Sequence, residues 1–325
     1  MSSLTITTIQ TSVQWEDKRA NLKRLEEHIF AIPEPTELVV LPEMFSTGFS
    51  MRPEALAERM DGPTLAWMQE IAARKKIILT GSVIIEEEGK YFNRLIWMLP
   101  NGQYGYYDKR HRFAYAGENE HYSAGHKRLV ASVKGWKVLL LVCYDLRFPV
   151  WSRQQPVREP REPAGSGQQP PGVQSTAGIE PPAGSQSPPA ATRSSTPSPE
   201  GHASISNYGE IAPISPEHLQ PNLEYDLIVY VANWPERRSH AWKTLLQARA
   251  IENQSYVIGV NRVGADGNDI GHSGDSMIID PLGETLYHAA QKEDVFTLTL
   301  KKEQLETVRQ RFPFWRDADR FYIEP

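Results

Sequence analysis

The chain runs to 325 residues with a formal net charge of -5, 40% hydrophobic residues and one cysteine. That length can bury a substantial core, a pI near 6.0 leaves no basic footprint for nucleic acid, and one thiol cannot close an internal disulfide, which excludes a disulfide scaffold. The opening MSSLTITTIQTSVQW lacks the apolar stretch of a signal peptide and no apolar run approaches a membrane span, so a cytoplasmic protein without membrane partners is expected.

In chain order, residues 4–10 and 37–41 read as short strands, the second a nearly continuous apolar run suited to burial on both faces. Between them, EDKRANLKRLEEHIF places Leu22, Leu25 and Ile29 on one helical face with charges opposite. Pro63 opens a second helix through Trp67 and Ile71, since a proline in the first turn forfeits no internal hydrogen bond. KIILTGSVIIEE, NRLIWMLP and QYGYYDK follow as strands, the last two joined at Asn101-Gly102, a strong hairpin signal. WKVLLLVCY and YDLIVYVAN are further buried strands. SHAWKTLLQARAIENQ reads as a helix capped by Ser239, with Trp242, Leu245 and Leu246 inward. SYVIGVNRVG, SGDSMIIDP and DVFTLTL supply three more strands. The alternation predicts an α/β protein with mixed sheets covered by helices on their outer faces.

Residues 153–221 break this grammar. They hold 14 of the 25 prolines, no Trp, no Phe and one Tyr. So little apolar surface cannot offset the entropy of ordering, so a disordered insertion is expected there. Its removal leaves about 255 residues, a size suited to one compact domain. A P-x-x-P match at residues 160–163 is expected by chance in such a tract, and a passive spacer is the better reading.

Three segments share one pattern, an apolar strand followed by reactive polar residues: ELVVLPEMFSTGF with Glu43, GYYDKRHRF with Lys109 and VLLLVCYDLRFP with Cys143. Loops at the carboxyl ends of strands converge in α/β folds. A thiol can attack there as thiolate, a carboxylate can take its proton and return it to a leaving amine, and an ammonium can hold a developing oxyanion. Taken singly, each residue is more often packing or wetted surface.

LPEMFSTGF, YDKRHRF and VCYDLRFP, in this order, resemble the three catalytic segments of the carbon–nitrogen hydrolase (nitrilase) superfamily. ANWPERRSHAWKTLLQARAIENQSYVIGVNRVG and HSGDSMIIDPLGE are similar to its C-terminal half. The nearest likeness is to its omega-amidase-like branch, which hydrolyses the terminal amide of dicarboxylic acid monoamides such as 2-oxoglutaramate. The resemblance implies a four-layer α-β-β-α sandwich of two mixed sheets, a small-molecule amide substrate, no metal or organic cofactor, and a homodimer paired near the nucleophile. It implies Cys143 as nucleophile, Glu43 as general base and acid, and Lys109 as oxyanion stabiliser. A second glutamate falls on Glu118 or Glu120, with Glu118 the better fit. The Tyr144 backbone N–H is the implied second oxyanion donor and Trp234 a pocket wall, with Phe49 and Phe113 as weaker candidates.

An anionic substrate tail needs a cation, for which Arg112, Arg147, Arg237 and Arg238 are open candidates. His111, His121 and His126 are close in sequence, but their spacing suits no standard metal site. Within the enzyme class a nitrilase, an N-carbamoyl hydrolase and an amidase of deaminated glutathione remain open. Outside it stands a non-catalytic scaffold using the proline-rich tract.

Overall fold

The computed structural model describes residues 2–156, 222–319 and 321–323. Its first half runs β1 (Ser3–Gln10), α1 (Lys18–Phe30), β2 (Leu38–Val40), α2 (Pro53–Leu56), α3 (Pro63–Lys75), β3 (Ile78–Glu87), β4 (Lys90–Met98) and β5 (Tyr104–Asp108). A short helix α4 (Glu118–His121), β6 (Leu129–Val133), β7 (Trp136–Val142) and α5 (Pro149–Ser152) follow. The rest comprises β8 (Leu227–Ala232), α6 (Ser239–Asn253), β9 (Tyr256–Asn261), β10 (Val263–Ala265), β11 (Gly271–Ile279), β12 (Thr285–Ala290), β13 (Asp294–Lys301) and α7 (Lys302–Arg311).

Two sheets result, in the orders β13-β1-β2-β3-β4-β5 and β10-β11-β9-β8-β7-β6, with β12 on the other side of β11. Both are mixed. β1-β2-β3 and β7-β8-β9 pair in parallel, while the flanking pairs are antiparallel. The two-residue period of a strand decides which core each side chain joins. Leu38 and Val40 of β2 belong to the buried cluster shared with Leu139, Val229 and Ile258 of the second sheet. Val39 and Leu41 turn the other way, onto Leu25 and Ile29 of α1 and Leu65, Met68 and Ile71 of α3. On the far side α6 lies against β9 so closely that a Cβ at Gly259 would stand 2.5 Å from Leu246 and 2.8 Å from Trp242. The chain therefore forms the expected α-β-β-α sandwich.

Local expectations hold to different degrees. Leu25, Ile29, Trp242 and Leu246 are buried as expected, whereas Leu22 and Leu245 are only half-buried at the edges of their stripes. The expected cap of α6 is corrected: Ser239 is the first helical residue, and its hydroxyl donates to Asp275 Oδ2 at 2.6 Å instead of serving the helix end. Strands β6 and β12 and helix α7 add elements beyond those read from the sequence.

The amino end of the expected insertion is also corrected. Arg153 to Pro156 are ordered: Gln154 is buried, and its side-chain amide donates to the Tyr225 carbonyl (2.8 Å) and accepts the Tyr225 N–H (3.1 Å). The Glu224 N–H donates to the Gln155 carbonyl, and Pro156 bridges Leu223 in antiparallel register. A glutamine amide here supplies the rung of a ladder, which composition does not register. The remainder of the expected tract, including residues 160–163, lies outside the described residues.

Candidate active site

Each candidate follows the carboxyl end of a strand: Glu43 after β2, Lys109 after β5, Cys143 after β7, and Asn233 with Trp234 after β8. Lys109, Cys143, Tyr144, Asn233, Trp234 and Phe49 line one cavity of about 230 Å³. Glu43 stands behind that wall, fully buried. Sequence positions far apart thus meet because the two sheets present their parallel strands in one direction.

The charged centre is a single ammonium between two carboxylates. Lys109 Nζ donates to Glu43 Oε1 at 2.9 Å and to Glu118 Oε1 and Oε2 at 3.0 and 2.9 Å. All three side chains are within 1% of complete burial. Asn93, in the middle of β4, donates through Nδ2 to Glu43 Oε1 at 2.7 Å and to Glu118 Oε1 at 3.3 Å. Asn233 holds Glu43 from the other sheet, its N–H on Oε2 at 2.7 Å and its Nδ2 on the Glu43 carbonyl at 2.6 Å. Glu118 also accepts the Phe113 N–H. Of the two glutamates, Glu118 is buried at Lys109 and Glu120 is exposed one half-turn away.

Cys143 opens a 3-10 turn over Cys143–Arg147 with φ of +43°, in the left-handed region that side chains other than glycine rarely adopt. Asp145 holds that turn. Its buried carboxylate accepts the Val142 N–H (3.0 Å), the Tyr107 hydroxyl (2.8 Å) and the His111 N–H (3.0 Å), and His111 Nδ1 lies 2.8 Å away. The Tyr107 oxygen in turn accepts the Trp151 indole N–H at 2.9 Å. Tyr144 is the second residue of the turn, where a backbone N–H has no acceptor within the turn.

Electrostatics decide where the proton rests. Burial would lower the Lys109 pKa, but Glu118 and Glu43 outweigh it and hold the ammonium above its ordinary range. Burial pushes the Glu118 carboxyl up, against the pull of Lys109. Burial and the Glu43 charge push the Cys143 thiol well above its usual value, and Lys109 offsets this only in part. The arrangement is thus a neutral thiol within electrostatic reach of the Glu43 side chain. Iodoacetamide alkylation of Cys143 is accordingly expected to rise with pH beyond 9 without a neutral plateau. A plateau below pH 7 would mean a resting thiolate and overturn this assignment.

The other candidates separate. Trp234 is buried, packs on Trp242 at 5.4 Å between ring centroids and also lines the cavity, so it serves both core and pocket. Phe49 and Phe113 line the cavity, with Lys109 Nζ 5.1 Å from the Phe49 ring centre. Arg112 turns away and donates to the Tyr122 carbonyl. Arg147, Arg237 and Arg238 line the cavity, and none has a carboxylate partner among the described residues. His111 is taken by Asp145 and stacks on Phe148. Among the described residues no group of His, Cys, Asp or Glu is arranged to hold a metal, and no helix is long and apolar enough to cross a membrane. Sequence reading missed Asn93, Asn233 and Asp145. Asn233 adjoins Trp234 and Asp145 stands two residues after Cys143 in the quoted segments, while Asn93 carries no signal beyond its place in a strand.

The chain matches known proteins over nearly its whole length. The carbon-nitrogen hydrolase family model matches residues 5–155 and 222–310, breaking where the proline-rich tract lies. Omega-amidase YafV of Escherichia coli (strain K12) is 35% identical, over 99% of this chain and 100% of its own length. A 2-oxoglutaramate amidase of Bacillus subtilis is 24% identical, with 96% of each chain covered. Among solved structures, a CN-hydrolase superfamily protein of Xanthomonas campestris with an arsenic adduct in its active site aligns at a TM-score of 0.78. It is 36% identical, and all of both chains is covered.

Proposed function

The chain belongs to the carbon-nitrogen hydrolase family and is a hydrolase of carbon–nitrogen bonds, and from that premise we propose that it removes the terminal amide of dicarboxylic acid monoamides such as 2-oxoglutaramate and succinamate. Glu43 takes the thiol proton as Cys143 Sγ attacks the amide carbonyl, and Lys109 with the Tyr144 N–H holds the oxyanion. Glu43 returns the proton to nitrogen, the C–N bond breaks and ammonia leaves a thioester on Cys143. Water then gives its proton to Glu43 and its oxygen to the acyl carbon, the C–S bond breaks, and the thiol recovers the proton as the acid departs.

The observation that carries the substrate class is the set of arginines beside this centre, Arg147, Arg237 and Arg238, which have no carboxylate partner among the described residues. Arg147 lies over the Trp234 ring at 5.0 Å and Arg238 over the Phe113 ring at 5.0 Å. Burial and the neighbouring Arg237 and Arg147 hold the Arg238 guanidinium below its ordinary range, against the opposing influence of Cys143 and Tyr115. Three arginines against the single acidic side chain of Asp266 in the lining favour an anionic tail. The same reading includes a homodimer, supported by Val150 of α5 and Ile251 of α6, both exposed on neighbouring helices.

Ammonia release from succinamate, 2-oxoglutaramate, butyramide, N-carbamoyl amino acids and nitriles tests the proposal. The ω-amides should turn over fastest. Arg147→Ala should raise KM for succinamate about 10- to 100-fold, the worth of a charge-assisted hydrogen bond, and leave butyramide unchanged. Inert ω-amides with active nitriles would sink the substrate assignment.

A further inference from the structure

Asn93 touches all three residues of the charged centre, both glutamates through Nδ2 and Lys109 through its backbone carbonyl. Its Nδ2 meets Glu43 Oε1 and Glu118 Oε1, the same two oxygens that Lys109 Nζ holds. Its backbone carbonyl accepts the Lys109 N–H at 3.0 Å. The four polar atoms therefore form a closed figure with oxygens at two corners and nitrogens at the others. The orientation of the amide follows, because the reverse would set an oxygen against two carboxylates. The Asn93 Oδ1 is left buried without a partner among the described residues, in a side chain only 1% exposed. A polar atom is thus stranded so that the amide nitrogen can face the glutamates.

We propose that Asn93 is a positioning residue for amide hydrolysis, a neutral second donor that lets one ammonium keep two buried carboxylates charged and correctly turned. The proposal rests on the reading of Glu43 as base. With Lys109 alone, the buried centre carries two negative charges and one positive, and one carboxyl takes up a proton readily. Asn93 opposes that protonation without adding charge, so it neither competes for the proton that Glu43 removes from Cys143 nor repels Lys109. The groups facing this cluster are Glu43, Glu118, Lys109, Cys143 and Tyr122. The Tyr122 hydroxyl donates to the Ser50 carbonyl, and burial, with the Glu118 charge, keeps it neutral.

The test is the pH dependence of kcat/KM on succinamate, with thermal unfolding measured alongside. Asn93→Ala should lower kcat about 10- to 100-fold with KM within about threefold, and move the acid limb about one pH unit higher. Asn93→Asp, nearly isosteric, should move that limb further, because it adds a carboxylate where a donor stood. Asn93→Ser, which restores a short donor, should recover part of both effects. Acid limbs in place for folded Asn93→Ala and Asn93→Asp, or a loss confined to KM, would overturn the inference. If Cys143→Ala retained turnover, the reading of the site would fail first and separately.

Discussion

Lys109→Met should abolish turnover and destabilise the fold by about 3–5 kcal/mol at neutral pH, the usual effect of stripping one partner from a buried ion pair. Methionine fills much of the same space but leaves Glu43 and Glu118, both fully buried, facing each other without a cation. One carboxyl must then take a proton. Glu118, already pushed up by burial in the presence of the lysine, is the natural recipient. A carboxyl whose folded pKa exceeds its unfolded value favours the fold below the unfolded pKa, and this contribution is lost as pH rises through the folded pKa. The variant should therefore approach the parent's stability near pH 4 and fall behind toward neutrality. Urea unfolding across pH 4 to 8 measures this. Adding Glu118→Gln should restore stability without restoring activity. Equal unfolding midpoints for Lys109→Met and the parent at pH 7 would refute the single-ammonium description.

Cys143→Ala carries the second large effect, confined to chemistry. Without sulfur no thioester can form, so ammonia release should drop by at least about 10⁴-fold. The fold should persist, since alanine meets the same backbone demand at φ of +43° and the Asp145 bonds do not use the thiol. Rapid quench and mass measurement should show an acyl adduct on the parent and none on the variant. Turnover within tenfold of the parent would refute Cys143 as nucleophile.

How much of this was legible in the sequence depended on what kind of signal each residue carries. Glu43, Lys109 and Cys143 stand where an apolar run stops, and a strand end followed by a reactive side chain is visible one-dimensionally. Glu118 and Glu120 differ by two positions in one short polar segment, and only the direction in which α4 faces Lys109 separates them. Asn93 interrupts nothing: it sits mid-strand, and its value lies entirely in two carboxylates contributed by distant segments. Ser239 looked like a cap because its neighbours are helical, but Asp275 on β11 takes its hydroxyl. Tertiary partners override local signals most readily for small polar side chains, which can satisfy several geometries equally well.

The ladder that Gln154, Gln155 and Pro156 make with Leu223, Glu224 and Tyr225 has an architectural consequence. It fastens the two margins of the crossover from β7 to β8 to each other before the parallel pairing begins, so the register of Val142 beside Val231 is set inside the clasp. The cost of closing a chain segment grows only logarithmically with its length, about 0.6 kcal/mol per doubling for flexible connections. A clasped crossover of this kind can accept extra sequence without a toll on the neighbouring thiol.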